Sequence, residues 1–390
     1  MAEKRSFKDV GKNKDVFSVG LIGYGGIGKF HTANWRNLNL YYPDLPKTIH
    51  LKGAAALSQE SANLAVNEGG FEYGTIDYQR VLDDPEIILI DICTPNNTHY
   101  EIFQAALAAG KHIYIEKPLA LNLDQARQML ELSRSSDRVI QIAFNFRFIP
   151  AVMKAKELID KGFVGKVLNF RAQYFHSSYL NPDKLMSWRL TQDASGGGAL
   201  VDLGTHIIDM MLYLAGPFKR VIAQAKTFID QRPSATDNKT LETVLVDDHA
   251  HLLVELKNGG VGIIETSRIA GGSTDDLNFE IYGTKGSLKF SFMDSGWLYV
   301  YDAGDARNPL GGEHGFKQIQ TLHEYPGNKI PGGRSLVNFL DTHANSQYQA
   351  VRAVLGLQPP SPTVQEGVNV QRILDASYRS ALEEHWIDIL

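Results

Sequence analysis

Asp202 and His206 stand four residues apart, just after the run Gly196-Gly197-Gly198, in a stretch that reads as a helix ending at Gly216-Pro217. At that spacing two side chains share a helix face. His206 has the pKa range wanted of a general base near neutrality, and a carboxylate beside it can contribute to a shared polar site. Read alone, the pair is equally a capping aspartate followed by a packed histidine. A second group, Glu116-Lys117-Pro118, follows the apolar run His112 to Ile115. A lysine at the C-terminal end of a parallel strand faces the edge at which ligands bind, whereas in an ordinary turn it is merely solvated. The third group is Gly23-Tyr24-Gly25-Gly26-Ile27-Gly28. A base, a cation and a loop that admits a pyrophosphate are the parts needed to draw a proton and a hydride from an alcohol.

These residues need elements to hold them. A strand over Val16 to Ile22 leads into the glycine loop and a helix over Lys29 to Leu38 leaves it. In that setting Gly23 permits the tight turn, Gly25 admits the phosphates, and Gly28 lets helix and strand pack closely, while the helix N-terminus offers free amides. Further strands are expected at Ile49 to Leu57, Ile87 to Ile92, His112 to Ile115 and Val139 to Phe144, alternating with helical patterns as in βαβ units. Thr98 with Glu101 reads as a capping box, Gly110 as a helix stop, Asn122 and Gly162 as further punctuation, and Pro150 as the first turn of a helix over Ala151 to Lys161. Beyond Val164, alternating runs joined by hairpin signals predict strands at Val221 to Phe228, Ala250 to Lys257, Val261 to Ala270, Leu277 to Tyr282, Ser287 to Phe292 and Trp297 to Tyr301. Gly and Pro dominate Asp302 to Gly333, an irregular region, and helices follow over Ser335 to Leu355 and Val364 to Glu384. The expected fold is α/β. A Rossmann domain with a parallel sheet occupies 14–148, and an α+β domain with a large open mixed or antiparallel sheet occupies 149–390.

In a dinucleotide-binding domain the second strand ends in an acid that holds the ribose of NAD, or in a small residue beside arginine for NADP. Leu57-Ser58-Gln59-Glu60 fits neither form. With no arginine nearby the reading leans to NAD and leaves NADP open; Ser58 or Glu60 could serve the ribose, Glu60 being equally a first-turn helix acid.

The 390 residues are 43% hydrophobic, enough for two cores, and the net charge of -5 is mixed along the chain, without the basic stripe that nucleic acid or anionic lipid would need. Cys93, the one cysteine, lies at the end of an apolar run and reads as a buried bystander, so no internal disulfide can form. The polar N-terminus is no signal peptide and no run spans a bilayer. A cytoplasmic enzyme without a structural metal is expected.

The glycine loop, Cys93-Thr94-Pro95-Asn96-Asn97-Thr98-His99, Glu116-Lys117-Pro118, the glycine run leading to Asp202 and His206, and Phe279 to Ser287 together resemble the Gfo/Idh/MocA family of oxidoreductases. The resemblance implies an active site between the two domains and an oligomer, dimer or tetramer, built through the open sheet. It further implies that Lys117 contacts substrate and cofactor as alkoxide stabiliser and proton-relay member, that His206 is the base, and that Asp202 binds the substrate. Thr94, Pro95, Asn96, His99 and Glu116 are then expected on the cofactor. Asn145, Arg147, Tyr174, His176, Trp188 and Arg189 fall near the domain junction, where planar donors and aromatic faces suit sugar hydroxyls, and Asn145, Arg147, Tyr174 and Trp188 are expected on the substrate. His343 and Asp248 are further polar candidates, Asp248 being equally an exposed strand residue. The implied activity is NAD(P)-dependent oxidation of a hydroxyl of an inositol, an anhydrosugar or a glycoside. The alternatives are an NAD-dependent glycosidase and a non-catalytic cofactor-binding regulator.

Overall fold

In the first third of the chain, short apolar strands alternate with amphipathic helices, and the strands join edge to edge. The computed structural model describes residues 16–389 apart from 311, 323–326, 328, 330–335 and 337. Its first sheet takes β1 (Val16–Ile22), β2 (Thr48–Ala55), β3 (Tyr73–Thr75), β4 (Leu89–Ile92), β5 (His112–Ile115) and β6 (Ile140–Ile142). The intervening helices are α1 (Gly26–Tyr41), α2 (Gln59–Asn67), α3 (Tyr78–Leu82), α4 (His99–Ala108) and α5 (Leu123–Arg134). All pairings are parallel, in the order β3-β2-β1-β4-β5-β6. The strand β4 is buried at every position, as befits a sheet covered on both faces. The order reverses between β1 and β4, and their C-terminal ends open a crevice there. The glycine loop follows β1, residues 93–96 follow β4, and Glu116 and Lys117 follow β5.

A helix beginning at Pro150, α6 (Pro150–Asp160), leads to the second sheet. Its strands are β7 (Val167–Phe175), β8 (Phe218–Lys226), β11 (His249–Leu256), β12 (Val261–Ser267), β13 (Asp276–Gly283), β14 (Gly286–Ser291), β15 (Trp297–Asp302), β16 (Lys317–Gln320) and β17 (Ile387–Asp388), while β9 (Gln231–Pro233) and β10 (Leu241–Thr243) form a separate ribbon. The order is β16-β15-β14-β13-β7-β12-β11-β8-β17, antiparallel except for the parallel pair β7 and β12. Neither β7 nor β16 was anticipated. The alternation of β7 breaks near its start, where Leu168 and Asn169 are both exposed, and β16 lies within the stretch expected to be irregular. One face is open, with Leu253 and Val261 exposed on it.

Helices α7 (Gln192–Ser195), α8 (Ala199–Asp202) and α9 (Gly204–Leu214) lie between β7 and β8, and α10 (Phe339–Val354) and α11 (Val364–Glu383) come near the end. Here α10 packs along α1, and α11 lies against α5, α9 and β8. Buried residues of both sheets, among them Ile92, Ile115, Phe170 and Leu277, form one continuous apolar cluster that Val368 of α11 joins. The anticipated start of α10 at Ser335 falls partly outside the described residues.

Two residues expected on the substrate belong to this framework. Asn145 donates to Thr342 Oγ1 (2.8 Å) and is fully buried. Arg147, also buried, donates through Nε to Asp209 Oδ2 (2.7 Å), pairs with Glu366 of α11, and lays its guanidinium on the Tyr213 ring. A rigid planar fork suits two carboxylates better than a sugar hydroxyl, so the arginine ties the domain exit to α9 and α11. Burial pushes the Asp209 carboxyl up to about 6 against the pull of Arg147. Removing the guanidinium leaves Asp209 and the buried half of Glu366 unpaired. Arg147→Ala is expected to lose about 3 kcal/mol of stability in urea unfolding, with a loss under about 1 kcal/mol marking the clasp as dispensable.

Candidate active site

At the crevice, Gly23 has φ +104°, and its amide donates to Ala55 O of β2 (2.9 Å). A Cβ on Gly28 would stand 2.0 Å from Gly23 O, so helix and strand approach as only glycine allows. A Cβ on Gly25 or Gly26 would meet nothing within 4 Å. That open space lies over the N-terminus of α1, which has no acid in its first turn and no side-chain cap. Amides and dipole are therefore left for an anion, and the loop fits a pyrophosphate. Tyr24 and Ile27 complete this wall of a cavity of about 980 Å³ running from the loop to the second sheet.

At the adenosine end the cavity is lined by Leu57, Ser61, Ile76, Tyr78 and Glu101. Ser58, expected on the ribose, instead caps α2 by accepting from Ser61 N (3.2 Å) and does not line the cavity, and Glu60 is an exposed first-turn acid. The expected Thr98–Glu101 box is also absent. The Thr98 hydroxyl donates to Pro95 O and Thr94 Oγ1, both at 2.8 Å, while Glu101 accepts from the Tyr78 hydroxyl. A short 3-10 turn over Asn96–Thr98 takes the place of an Ncap conformation. Among the described residues, no lysine or arginine lines this end to meet a 2′-phosphate.

Thr94, Pro95, Asn96 and Cys93 line the opposite wall. Asn96 donates to Ser195 O (2.8 Å), tying this loop to the second domain. His99 lies behind it, fully buried between Thr94 O (3.0 Å) and Pro118 O (2.9 Å). It holds the loops after β4 and β5 together and does not line the cavity.

Glu116 is anchored from behind. His31 Nε2 stands 3.0 Å from Glu116 Oε1, and His31 Nδ1 lies 2.9 Å from Asp91 Oδ2, which also accepts from Trp35 Nε1 (2.7 Å). Burial alone would keep the His31 imidazole neutral, but Asp91 raises its pKa well above the ordinary histidine range. Burial also opposes ionisation of Glu116, yet His31 brings that carboxyl down to about 2. An imidazolium between two carboxylates results. Sequence reading passed over this set because Asp91 was absorbed into an apolar run. A charged residue inside a strand buried on both faces was the available signal. Cys93 Sγ lies 3.3 Å from Asp91 Oδ1, and burial raises its thiol far above the usual range, as expected of an inert side chain.

Lys117 reaches across the crevice. Its Nζ donates to Asp202 Oδ1 (2.8 Å) and to Asp202 O (2.9 Å). Asp202 and His206 do not share one helix, contrary to expectation. The helix breaks at Leu203, and the Thr205 hydroxyl bonds Val201 O, the acceptor that its own amide would take in a continuous helix. Both residues still line the cavity with Lys117. The glycine run is not a phosphate loop. A Cβ on Gly198 would lie 1.8 Å from Asp247 O, and one on Gly197 would lie 2.2 Å from the Tyr378 hydroxyl. Asp247 receives the amides of Gly198 (2.9 Å) and Leu200 (2.8 Å) and so fixes the start of α8. Sequence reading missed Asp247 and considered only its neighbour, Asp248. Asp248 is fully buried rather than on an exposed strand face, and pairs with Arg268 Nε (2.9 Å).

Burial raises and Lys117 and Arg189 lower the Asp202 carboxyl, and the cations win, holding it well below the usual range. His206 is pushed well below ordinary histidine, first by burial and then by the charge of Lys117. It is a neutral acceptor at neutral pH, its ring against Phe146 (4.7 Å) and Tyr174 (5.9 Å). Tyr174, Trp188 and Arg189 line the second-domain wall, with His176 and Asp275 beside them. The Tyr174 hydroxyl donates to Asp275 Oδ1 (2.9 Å), and Arg189 stacks on the Trp188 ring at 4.3 Å. Phe339 and His343 reach the cavity from α10.

Residues 17–144 match the family model described as an oxidoreductase family with an NAD-binding Rossmann fold, and 152–289 match the GFO/IDH/MocA C-terminal domain. The levoglucosan dehydrogenase of Pseudarthrobacter phenanthrenivorans is 34% identical over 385 residues, covering 95% of this chain and 98% of that one. A myo-inositol 2-dehydrogenase of Thermotoga maritima is 27% identical, over 69% of this chain and 74% of its own. Among solved structures, a levoglucosan dehydrogenase in complex with NADH and levoglucosan superposes with a TM-score of 0.91 at 34% identity, over 96% of this chain and all (100%) of that one.

The electrostatics of the Lys117–His206 pair can be measured directly. Lys117→Met removes a positive charge that disfavours the His206 cation, so the imidazole signals of His206 are expected to titrate at higher pH in the variant than in the wild type. An unchanged NMR titration would mean that burial alone keeps the ring neutral.

Proposed function

The chain belongs to the Gfo/Idh/MocA family of oxidoreductases, with an NAD-binding Rossmann domain, and from that premise we propose that it oxidises one hydroxyl of a cyclic sugar or polyol to a ketone. The observation that carries the reading is the meeting of Lys117, Asp202 and His206 in the cavity that begins at the glycine loop. When bound there, the nicotinamide of NAD supplies the hydride acceptor.

His206, neutral near pH 7, takes the hydroxyl proton as the C–H bond gives up its hydride. Lys117 directs its ammonium at the oxygen on which negative charge develops, and Asp202 holds the ammonium in place through two contacts. Asp202, kept ionised, also accepts from a substrate hydroxyl. Trp188 and Tyr174 offer aromatic faces to the C–H side of a ring, and Arg189 and His176 offer polar contacts at its edge. The apolar walls exclude water from the reacting carbon. Asn145 and Arg147 have no part in this reading.

Similarity to levoglucosan and inositol dehydrogenases sets the first compounds to try. Purified protein with NAD and a panel of anhydrosugars, inositols, free sugars and glycosides is expected to form NADH with at least one neutral cyclic compound. Glycoside cleavage without net NADH would replace this reading with that of a hydrolase using transient oxidation. With the active compound, His206→Asn is expected to lower kcat by about 10²–10⁴-fold and Lys117→Met by about 10²–10³-fold. Turnover within about threefold of wild type in both would sink the mechanism.

A further inference from the structure

His343, on α10, is 1% exposed, borders the cavity, and has no hydrogen-bond partner among the described residues at either Nδ1 or Nε2. Buried polar atoms without partners are uncommon, and a pair of them beside a cavity points to a ligand. Its Nδ1 lies 3.9 Å from Glu116 Oε1, too far for a hydrogen bond, and Oε1, met by His31 Nε2 at 3.0 Å, keeps a lone pair for a second donor. Neither side chain is free to turn away. His31 and the Lys117 amide hold the Glu116 carboxylate, and Phe339 (4.6 Å) and His31 (4.9 Å) pack against the His343 ring.

We propose that Glu116 and His343 together seat the carboxamide of the nicotinamide, the carboxylate accepting from its NH2 group and the imidazole N–H donating to its carbonyl oxygen. The two protein groups are complementary to an amide, one an acceptor and the other a donor, side by side. Burial, then the charge of His31, holds His343 down to about 3, so the ring is neutral and carries one N–H to donate. The seat borders the cavity that Pro95, Asn96, Lys117 and His206 also line, and by fixing the carboxamide it selects which face of the pyridine ring meets the substrate. It rests on the NAD-dependent reading above and adds a residue from the far end of the chain. His31, Glu116 and His343 also have the spacing of metal ligands, but His31 is already engaged by Asp91 and Glu116.

The test compares NADH with ADP-ribose, which lacks the nicotinamide, by calorimetric titration of wild type, His343→Ala and His343→Gln, each first shown to be folded by its thermal melt. His343→Ala is expected to weaken NADH about tenfold while leaving ADP-ribose within about twofold, and His343→Gln, which keeps an N–H donor, to recover most of the loss. Hydride transfer from the pro-R and pro-S deuterated forms of NADH is expected to be strict in the wild type and mixed in His343→Ala. Equal weakening of both ligands would overturn the seat in favour of a packing role, as would NADH binding indifferent to both substitutions. Stoichiometric zinc retained by dialysed wild type and lost in His343→Gln would overturn it in favour of a metal site. A wild type that binds neither NADH nor ADP-ribose would remove the NAD-dependent reading itself, whereas tight wild-type binding unaffected by the variants removes only the seat.

Discussion

An ammonium from the end of one sheet meets a carboxylate delivered by the other domain, and the 2.8 Å contact between Lys117 and Asp202 is what the rest of the crevice is arranged to support. Charges removed from water need compensation, so each one here recruits the next. Lys117 is placed by its neighbour Glu116, Glu116 by His31, and His31 by Asp91 in the middle of β4. On the far side, Asp202 ends a four-residue helix whose first amides are taken up by Asp247, itself held by the Tyr378 hydroxyl of α11 (2.6 Å). The line of compensation thus starts inside one sheet and finishes on a C-terminal helix.

Three buried histidines border this line and do not titrate alike. His31 has a carboxylate on either side and is held as a cation. His206 and His343 suffer comparable burial but face the positive charges of Lys117 and His31, and both are held neutral. The number of carboxylates in contact decides the outcome. Groups pushed in opposite directions within one site are the usual way to assign a fixed charge and a proton acceptor at the same pH.

The parts legible in the sequence were those fixed by short-range spacing. The glycine loop, the strands of the first sheet other than the three-residue β3, and the placement of Lys117 after β5 follow from periodicity and from turns whose chemistry is local. The His31–Asp91 contact spans sixty residues and the Arg147–Glu366 pair more than two hundred, and no local pattern reports such a distance. Asn145 and Arg147 were misjudged for that reason: polar residues at a domain junction suit either a ligand or a clasp, and only the arrival of Thr342, Asp209 and Glu366 distinguishes them. Thr98 was misjudged by a smaller margin, since its hydroxyl is turned toward Thr94 and Pro95 as a donor and accepts no helix amide, as a capping box requires. The break at Leu203 adjoins Gly204, a glycine that the single-helix reading of Asp202 and His206 passed over.

The helix α10 lies along α1, with Gln347 donating to His31 O (3.2 Å) and Ser346 receiving the Tyr114 hydroxyl (2.8 Å), so residues near the end of the chain close the back of a site whose phosphate loop is made near its start. During synthesis this ordering has a cost in time. The whole first sheet emerges from the ribosome some two hundred residues before α10 does, and through that interval the polar groups around His31 lack the covering helix that shuts them from water. The first domain must here wait for a late segment before its pocket is dry, which puts assembly of the site after α10 has emerged.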